Sequence, residues 1–350
     1  MSAGRCRDRG AADRPRVAVI CPVHGMGRAV VEMLADELVD VVVVIIARPR
    51  PRARFDQDAL VGTCAAAGIP VIVIDGGEAS RVVTALAAQE PDLLVMIDWR
   101  GPVSPALLAT ARLGGVAIHP SLLPKYSGPD AVNWAILRGE QATGATLVSL
   151  DRRGLLCNAA AQRSVRIGAN DTFESVSVAV DEASAELLGE YLPTLLSGRS
   201  LPQCQPLDPL IAPLPARTPD MGVIDWTLSA RMVHDWVRGL TMPDSGAFTT
   251  LGGRKVMVWA TRLPSPREPA GPPGEVIGFD RGGVRIGVRD GSVVVRRMSY
   301  PDYPPVPAGL WCRVSGVGVG SRFDLAPADR VAWARGEGWR TPEDEARSVS

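Results

Sequence analysis

His119 is the residue in this chain best placed to do chemistry. It ends a strand-like run, Gly115-Val116-Ala117-Ile118, and opens into a tight Pro120-Ser121-Leu122-Leu123-Pro124 loop, with a helix pattern from about Pro129. Imidazole changes charge near neutral pH, so a histidine at a strand end suits general acid–base work. Ser121 is a nucleophile by type, but in a Ser-Leu-Leu-Pro turn its hydroxyl more simply caps the turn. His24 follows the first strand in Pro22-Val23-His24-Gly25-Met26-Gly27, where a lone loop histidine is either a pocket residue or a solvated bystander. The Gly25-x-Gly27 pair is a faint echo of a phosphate-binding loop and lacks the third glycine that a dinucleotide site needs. His234 sits on a helix pattern with Met232, Trp236 and Val237 and reads as structural.

The elements that must position His119 alternate between two periods. Short β-branched runs at Val17–Ile20, Val41–Ile46, Val71–Ile74, Leu93–Ile97 and Val116–His119 are separated by helix patterns near 28–38, 56–67 and 80–89. Strands spaced by helices of that length predict an α/β fold, a doubly wound parallel sheet with both faces covered. Ligands in such sheets sit at the carboxyl ends of the strands, and His119 lies at one of those ends. Further strands are expected at Thr146–Leu150 and Gln162–Ile167. Asp171-Thr172 then caps a long amphipathic helix ending near Ser197. A Pro-rich stretch at 201–216 reads as a linker. Beyond it, Val256–Trp259, Val284–Val288 and Val293–Arg297 are short strands between Gly-rich turns, the pattern of a small β-barrel. The expected organisation is a disordered leader at 1–16, an α/β domain at 17–200, the linker, a β-barrel domain at 217–325, and a charged tail at 326–350 with room for one helix.

Composition sets outer bounds. The 350 residues carry 38 basic and 38 acidic side chains, and the zero net charge argues against a polyanionic partner such as nucleic acid. Lys125 and Lys255 are the only lysines, and we read that bias as genomic. The six cysteines form no C-x-x-C pair and no metal-ligand spacing, so no metal is expected and reduced thiols in a cytoplasmic protein are. The first sixteen residues lack an apolar core of the kind a signal peptide has. The longest apolar run, Val39 to Ala47, is interrupted by Asp40 and is too short to span a bilayer.

The segment from Gly114 to Trp134, GGVAIHPSLLPKYSGPDAVNW, resembles the signature of the folate-dependent formyltransferases. In that family a strand runs Asn-x-His-Pro-Ser-Leu-Leu-Pro before a Lys-Tyr-Arg-Gly turn. Ala117 stands here at the family asparagine and Ser127 at its turn arginine. Asp220 to Trp226, Trp236 to Leu240 and Ser245 to Thr249 are similar to the C-terminal domain of methionyl-tRNA formyltransferases, including an Ile-Asp-Trp motif and a Gly-Ala-Phe turn. The resemblance covers about Val17 to Leu325. It implies an α/β formyltransferase domain followed by a small open β-barrel of OB-like type, and a tetrahydrofolate derivative, 10-formyltetrahydrofolate or a related form, as cofactor.

The family reaction, attack of an amine on a formyl carbon, needs a base for the nitrogen's proton, a donor for the oxyanion, and a carboxylate to orient the imidazole. His119 matches the family base. Ala117 has no hydrogen-bonding side chain, and an ungapped match between Asp151 and Gln162 puts Leu155 where the family aspartate belongs and Asn158 at a following acid. The loop Ile97-Asp98-Trp99-Arg100 falls where relatives meet the folate ring system through backbone groups. His24, Ala117, Ser121 and Leu155 would line the acceptor side, where Arg48, Arg50, Arg52 and Arg54 add a basic loop.

Loss of one oxyanion donor costs about 10²–10³ in rate. Two classes of function therefore stay open. In the first, the chain is a transferase of specialised metabolism with a remodelled site, using His119 as its remaining base on a small amine. In the second, it is an inactive homologue that binds a ligand or acts as a scaffold. A plain methionyl-tRNA formyltransferase is disfavoured by the alanine, the leucine and the net charge. The oligomeric state is open.

Overall fold

A computed structural model of the protein describes residues 14–22, 27–36, 39–48, 57–75, 79–98, 103–150, 156–199, 201, 205–206, 214–263 and 269–337. The chain forms two compact units, one made of 1–125, 144–165 and 178–209, the other of 126–143, 166–177 and 210–350.

The first unit is built on an eight-stranded sheet. Its strands are β1 (Arg16–Pro22), β2 (Asp40–Arg48), β3 (Val71–Asp75), β4 (Leu93–Ile97), β5 (Gly115–His119), β6 (Ala142–Leu150), β7 (Leu156–Arg166) and β8 (Gln205–Pro206), in the order 3-2-1-4-5-6-7-8. Strands β1 to β5 pair in parallel. Helices α1 (Arg28–Asp36), α2 (Gln57–Ala66), α3 (Ala79–Ala87) and the short α4 (Pro105–Leu108) connect them. The doubly wound reading holds across these five strands. Beyond them the sheet turns antiparallel, with β6 running against β5 and β8 against β7. The five residues between β6 and β7 are too few for the crossover that a parallel pair requires.

The side chains of Val41 to Ile46 on β2 are all buried, as a strand covered on both faces demands. On one face Ala18, Ile20, Val43, Ile45, Leu94 and Met96 pack with Val82 and Leu86 of α3 and Leu107 and Leu108 of α4. Strand order reverses between β1 and β4, which makes their carboxyl ends the switch-point crevice of this sheet. The long α6 (Phe173–Leu196) starts with a reciprocal cap in which Thr172 and Ser175 exchange backbone-to-hydroxyl hydrogen bonds.

The second unit carries α5 (Ala131–Leu137), α7 (Ala230–Leu240), and an antiparallel sheet of β9 (Ala247–Leu251), β10 (Arg254–Arg262), β11 (Val276–Asp280), β12 (Gly283–Val288), β13 (Gly291–Ser299) and β14 (Val306–Pro307). The order is 11-12-13-10-9, with β14 on β13. A short segment spans the two edges, Asp324 bridging Thr250 of β9 and Arg322 bridging Glu275 just before β11. The sheet is thus drawn into a partly open barrel around Trp226, Val256, Val258, Ile286, Val293 and Phe323. Helices α8 (Ala308–Val314) and α9 (Ala328–Ala334) follow, the latter in the charged tail. His234 is buried on α7, with Nδ1 2.8 Å from Thr261 Oγ1 and Nε2 3.3 Å from the Ala169 carbonyl. The next residue, Asp235, accepts from Arg238 Nε at 2.6 Å, an ion pair withdrawn from solvent at both ends.

Cys21, Cys64 and Cys312 are buried and free. Among the described residues no three His, Cys, Asp or Glu side chains gather to hold a metal. No described helix is long and apolar enough to cross a membrane.

Candidate active site

His119 is the last residue of β5, one strand away from the switch point. In the strand register its Cα partner is Thr146 on β6, while Ile118 faces Ile97 on β4. The β4 ladder continues one step beyond its last residue, because the Asp98 N–H donates to the Ile118 carbonyl at 2.9 Å. Asp98 then turns the chain away with φ 42°, a left-handed conformation that aspartate accepts more readily than most residues. Asp98 is only 6% exposed. The structure therefore brings Ile97, Asp98 and His119 together along adjacent strand ends.

The loop after His119 is held by an interior network. The Ser121 N–H donates to the His119 carbonyl at 2.9 Å, and the Ser121 hydroxyl donates to the Lys125 carbonyl at 2.7 Å. Ser121 is 0% exposed, and its hydroxyl closes the turn. Thr146 Oγ1 donates to the Ser121 carbonyl at 2.6 Å and accepts from the Leu123 N–H at 3.1 Å. Gln162 Nε2 completes the set, donating to the Leu123 carbonyl at 2.7 Å and to Thr146 Oγ1 at 2.9 Å. Ser121, Leu123 and Thr146 are buried, so their engaged polar atoms would otherwise lack a partner. Thr146 reads in the sequence only as a strand residue, and Gln162 as a strand residue that anchors the match to the family's loop. A hydroxyl inside the apolar run of β6 was the available signal, since a buried threonine must find partners.

Ala117 shares a strand face with His119, two residues back, and packs against the cluster that includes Met96 and Leu94. It adds to the core at the position that the resemblance assigns to an amide. Asn158 lies in β7, in register with Pro206 of β8. His24, Trp99, Arg100, Leu155, Arg50, Arg52 and Arg54 lie outside the described residues, and Arg48 ends β2.

A further acidic group borders the switch point. Asp181 of α6 accepts from the Gly27 N–H at 2.6 Å and from the Ala29 N–H at 2.8 Å, filling the start of α1. Burial drives its carboxyl up to about 6, against the pull of those backbone donors. Nothing in the sequence marked it, because it reads as one more position of a long helix. Burial also pushes the neighbouring Cys21 thiol upward, with Cys64 and Asp181 adding to the effect.

Chemically the strand ends offer one imidazole, a buried aspartate on the adjacent strand end, and a turn tied by hydrogen bonds.

Comparison with known proteins places this geometry. The family description "Formyl transferase" matches residues 25–192, and "Formyl transferase, C-terminal domain" matches 217–315. A methionyl-tRNA formyltransferase of Citrifermentans bemidjiense is 30% identical over 272 residues, covering 77% of this chain and 84% of that protein. Among solved structures, HypX from Aquifex aeolicus in complex with tetrahydrofolic acid superposes with TM-score 0.57 at 21% identity, over 85% of this chain. The chain spans about half the length of that protein, 46%. WlaRD, a sugar 3N-formyl transferase solved with dTDP and 5-N-formyl-THF, gives TM-score 0.58 at 14% identity over 83% of this chain and 99% of its own. At such identities the two structures speak for the fold alone. With both domain descriptions matched in order and a 30% identical relative over most of its length, the chain belongs to the formyl transferase family.

Proposed function

We propose that the protein transfers a formyl group to a small amine-bearing substrate of specialised metabolism, with His119 as the base that takes the amine's proton. The observation that carries this reading is the placement of His119 at the end of β5, beside the buried Asp98 turn of β4 and fixed by the Ser121–Thr146–Gln162 network. A loop so thoroughly tied down keeps the imidazole's backbone in one position, which is what proton transfer in a bound complex requires. A tetrahydrofolate derivative would supply the activated formyl group, held at the Ile97–Asp98 side with Trp99, Arg100 and Asn158. His24, Ala117 and Leu155 would shape the acceptor side, and the buried Ser121 would act only through the turn that it closes. With alanine at 117, and leucine at 155 as the resemblance aligns it, the sequence carries fewer polar groups at these positions than the family pattern. That favours a small acceptor over a polyanionic one such as tRNA.

The experiment is a screen of small amines with 10-formyltetrahydrofolate, following tetrahydrofolate release by wild type and by His119→Ala. Turnover that falls at least about 100-fold in the variant supports the reading. Turnover unchanged by the substitution contradicts it.

One observation favours a second reading, a binding protein without turnover. Ala117 packs into the hydrophobic cluster at the position of the family's oxyanion donor. That reading predicts saturable ligand binding with no product from any amine, and His119-dependent turnover would dismiss it.

A further inference from the structure

Among the described residues, Asp181 is the one buried acid of the first unit that the proposed chemistry leaves unused, and its geometry is specific. Its two carboxylate oxygens accept from Gly27 and Ala29, donors that no residue within α1 can satisfy. Gly27 adopts φ 103°, and a Cβ built on it would come within 3.0 Å of Cys21 Cβ and 3.2 Å of Ile97 Cδ1. The turn is thus wedged between the last turnward residues of β1 and β4, the two strands that flank the switch point. A serine or asparagine would cap α1 without burying a charge. Here the chain keeps a carboxylate that burial disfavours, an expense in stability that capping alone does not explain.

We propose that Asp181 is a positioning residue for the ligand crevice: as a carboxylate it holds Gly27 against Ile97, and its protonation loosens that edge. This inference rests on the reading of the Ile97–Asp98 side as the folate-facing part of the site. The charges facing Asp181 come mainly from α1, where Arg28 and Glu32 pair at 2.8 Å. Glu32 pushes the Asp181 carboxyl upward, while the N–H groups of Gly27, Arg28 and Ala29 pull it down. From β1 the neighbour is the Cys21 thiol, itself influenced by Cys64 of α2. A carboxyl at about 6 changes charge between mildly acidic and neutral conditions.

The test compares intact wild type with Asp181→Asn by calorimetric titration with 5-formyltetrahydrofolate at about pH 5 and about pH 7.5, with thermal melts and amide exchange of Gly27 and Ala29 alongside. Comparing the two proteins at each pH cancels the ligand's own titration. Wild type should bind about tenfold more tightly at the higher pH than the variant, and the two should converge at the lower. The folded-state value of Asp181 lies above its unfolded one. Its contribution to stability is therefore largest below the unfolded value and is lost as pH rises through about 6. The variant should accordingly gain melting temperature relative to wild type on going from the lower pH to the higher, just where it loses affinity. A purely structural cap would instead lower melting temperature and affinity together by the same factor at both pH values, and that result would overturn the proposal. Should wild type bind no folate at all, the proposed function fails. The exchange arm still decides on Asp181: intrinsic-rate-corrected protection of Gly27 and Ala29 that falls on acidification in wild type alone supports the clamp, and pH-independent protection refutes it.

Discussion

Thr146 stands opposite His119 in the β5–β6 register, and its hydroxyl reaches past that pairing to hold the Ser121 carbonyl at 2.6 Å. One side chain therefore ties the strand that ends in the imidazole to the turn that follows it. The same oxygen accepts from Leu123 and from Gln162, so three donor or acceptor groups depend on one buried atom.

Replacing Thr146 with valine keeps the shape and removes that atom. We expect a loss of about 1–3 kcal/mol in unfolding free energy, because the Ser121 carbonyl and the Leu123 N–H are left buried without a partner. Urea titration of the intact protein measures it. Ligand affinity should fall as well, since the loop loses its anchor; a variant as stable as wild type would show that the network holds nothing.

Gly144 on β6 has no room for a side chain. A Cβ there would come within 2.1 Å of the Arg163 carbonyl oxygen and 2.8 Å of Leu122 Cδ2. Gly144→Ala must push the β6–β7 pair apart at the level of the His119 loop. We expect a destabilisation of about 3 kcal/mol and a lower melting temperature, read by calorimetry. A neutral substitution would mean that the strands separate freely at this point.

Much of this architecture was legible in the residues. The β-branched runs of β1 to β5 and their helical spacers predicted a wound sheet because burial on both faces leaves no alternation to mistake for anything else. His119 was legible because a lone imidazole at a strand end stands out against aliphatic neighbours. In the second unit the expected strands fell inside β10, β12 and β13, but β9 and β11 passed unread. Their sequences, AFTTL and VIGFD, are too short and too broken by polar residues or glycine to show a period. Asp181 was hidden for a different reason. Its partners lie more than 150 positions away in sequence, and no local pattern announces a contact of that range. The antiparallel turn of the sheet at β6 depends on loop length and pairing, which hydrophobic spacing does not encode.

His234 makes a pH prediction for the second unit. Burial holds its imidazole below the usual histidine value, the charge of Arg238 works in the same direction, and Asp235 opposes them. A base whose folded value is depressed stabilises the protein fully above its unfolded value, and that contribution is lost as pH falls through the folded one. Stability should therefore drop on acidification below about pH 6.5. His234→Gln should flatten that part of the profile, recorded by tryptophan fluorescence during urea unfolding. Apart from Trp99, all tryptophans of the chain fall within the ranges of this unit, so the signal reports on it. Equal slopes in both proteins would assign the pH dependence elsewhere.

In the proposed function the ends of β4 and β5 form a working one-carbon site. Calorimetric titration of the intact protein with a stable analogue of 10-formyltetrahydrofolate tests it most directly. Saturable binding with a single ligand per chain, weakened in Thr146→Val, is the predicted result. The absence of any binding heat at millimolar ligand would contradict it and would mean that the crevice beside His119 has left folate chemistry.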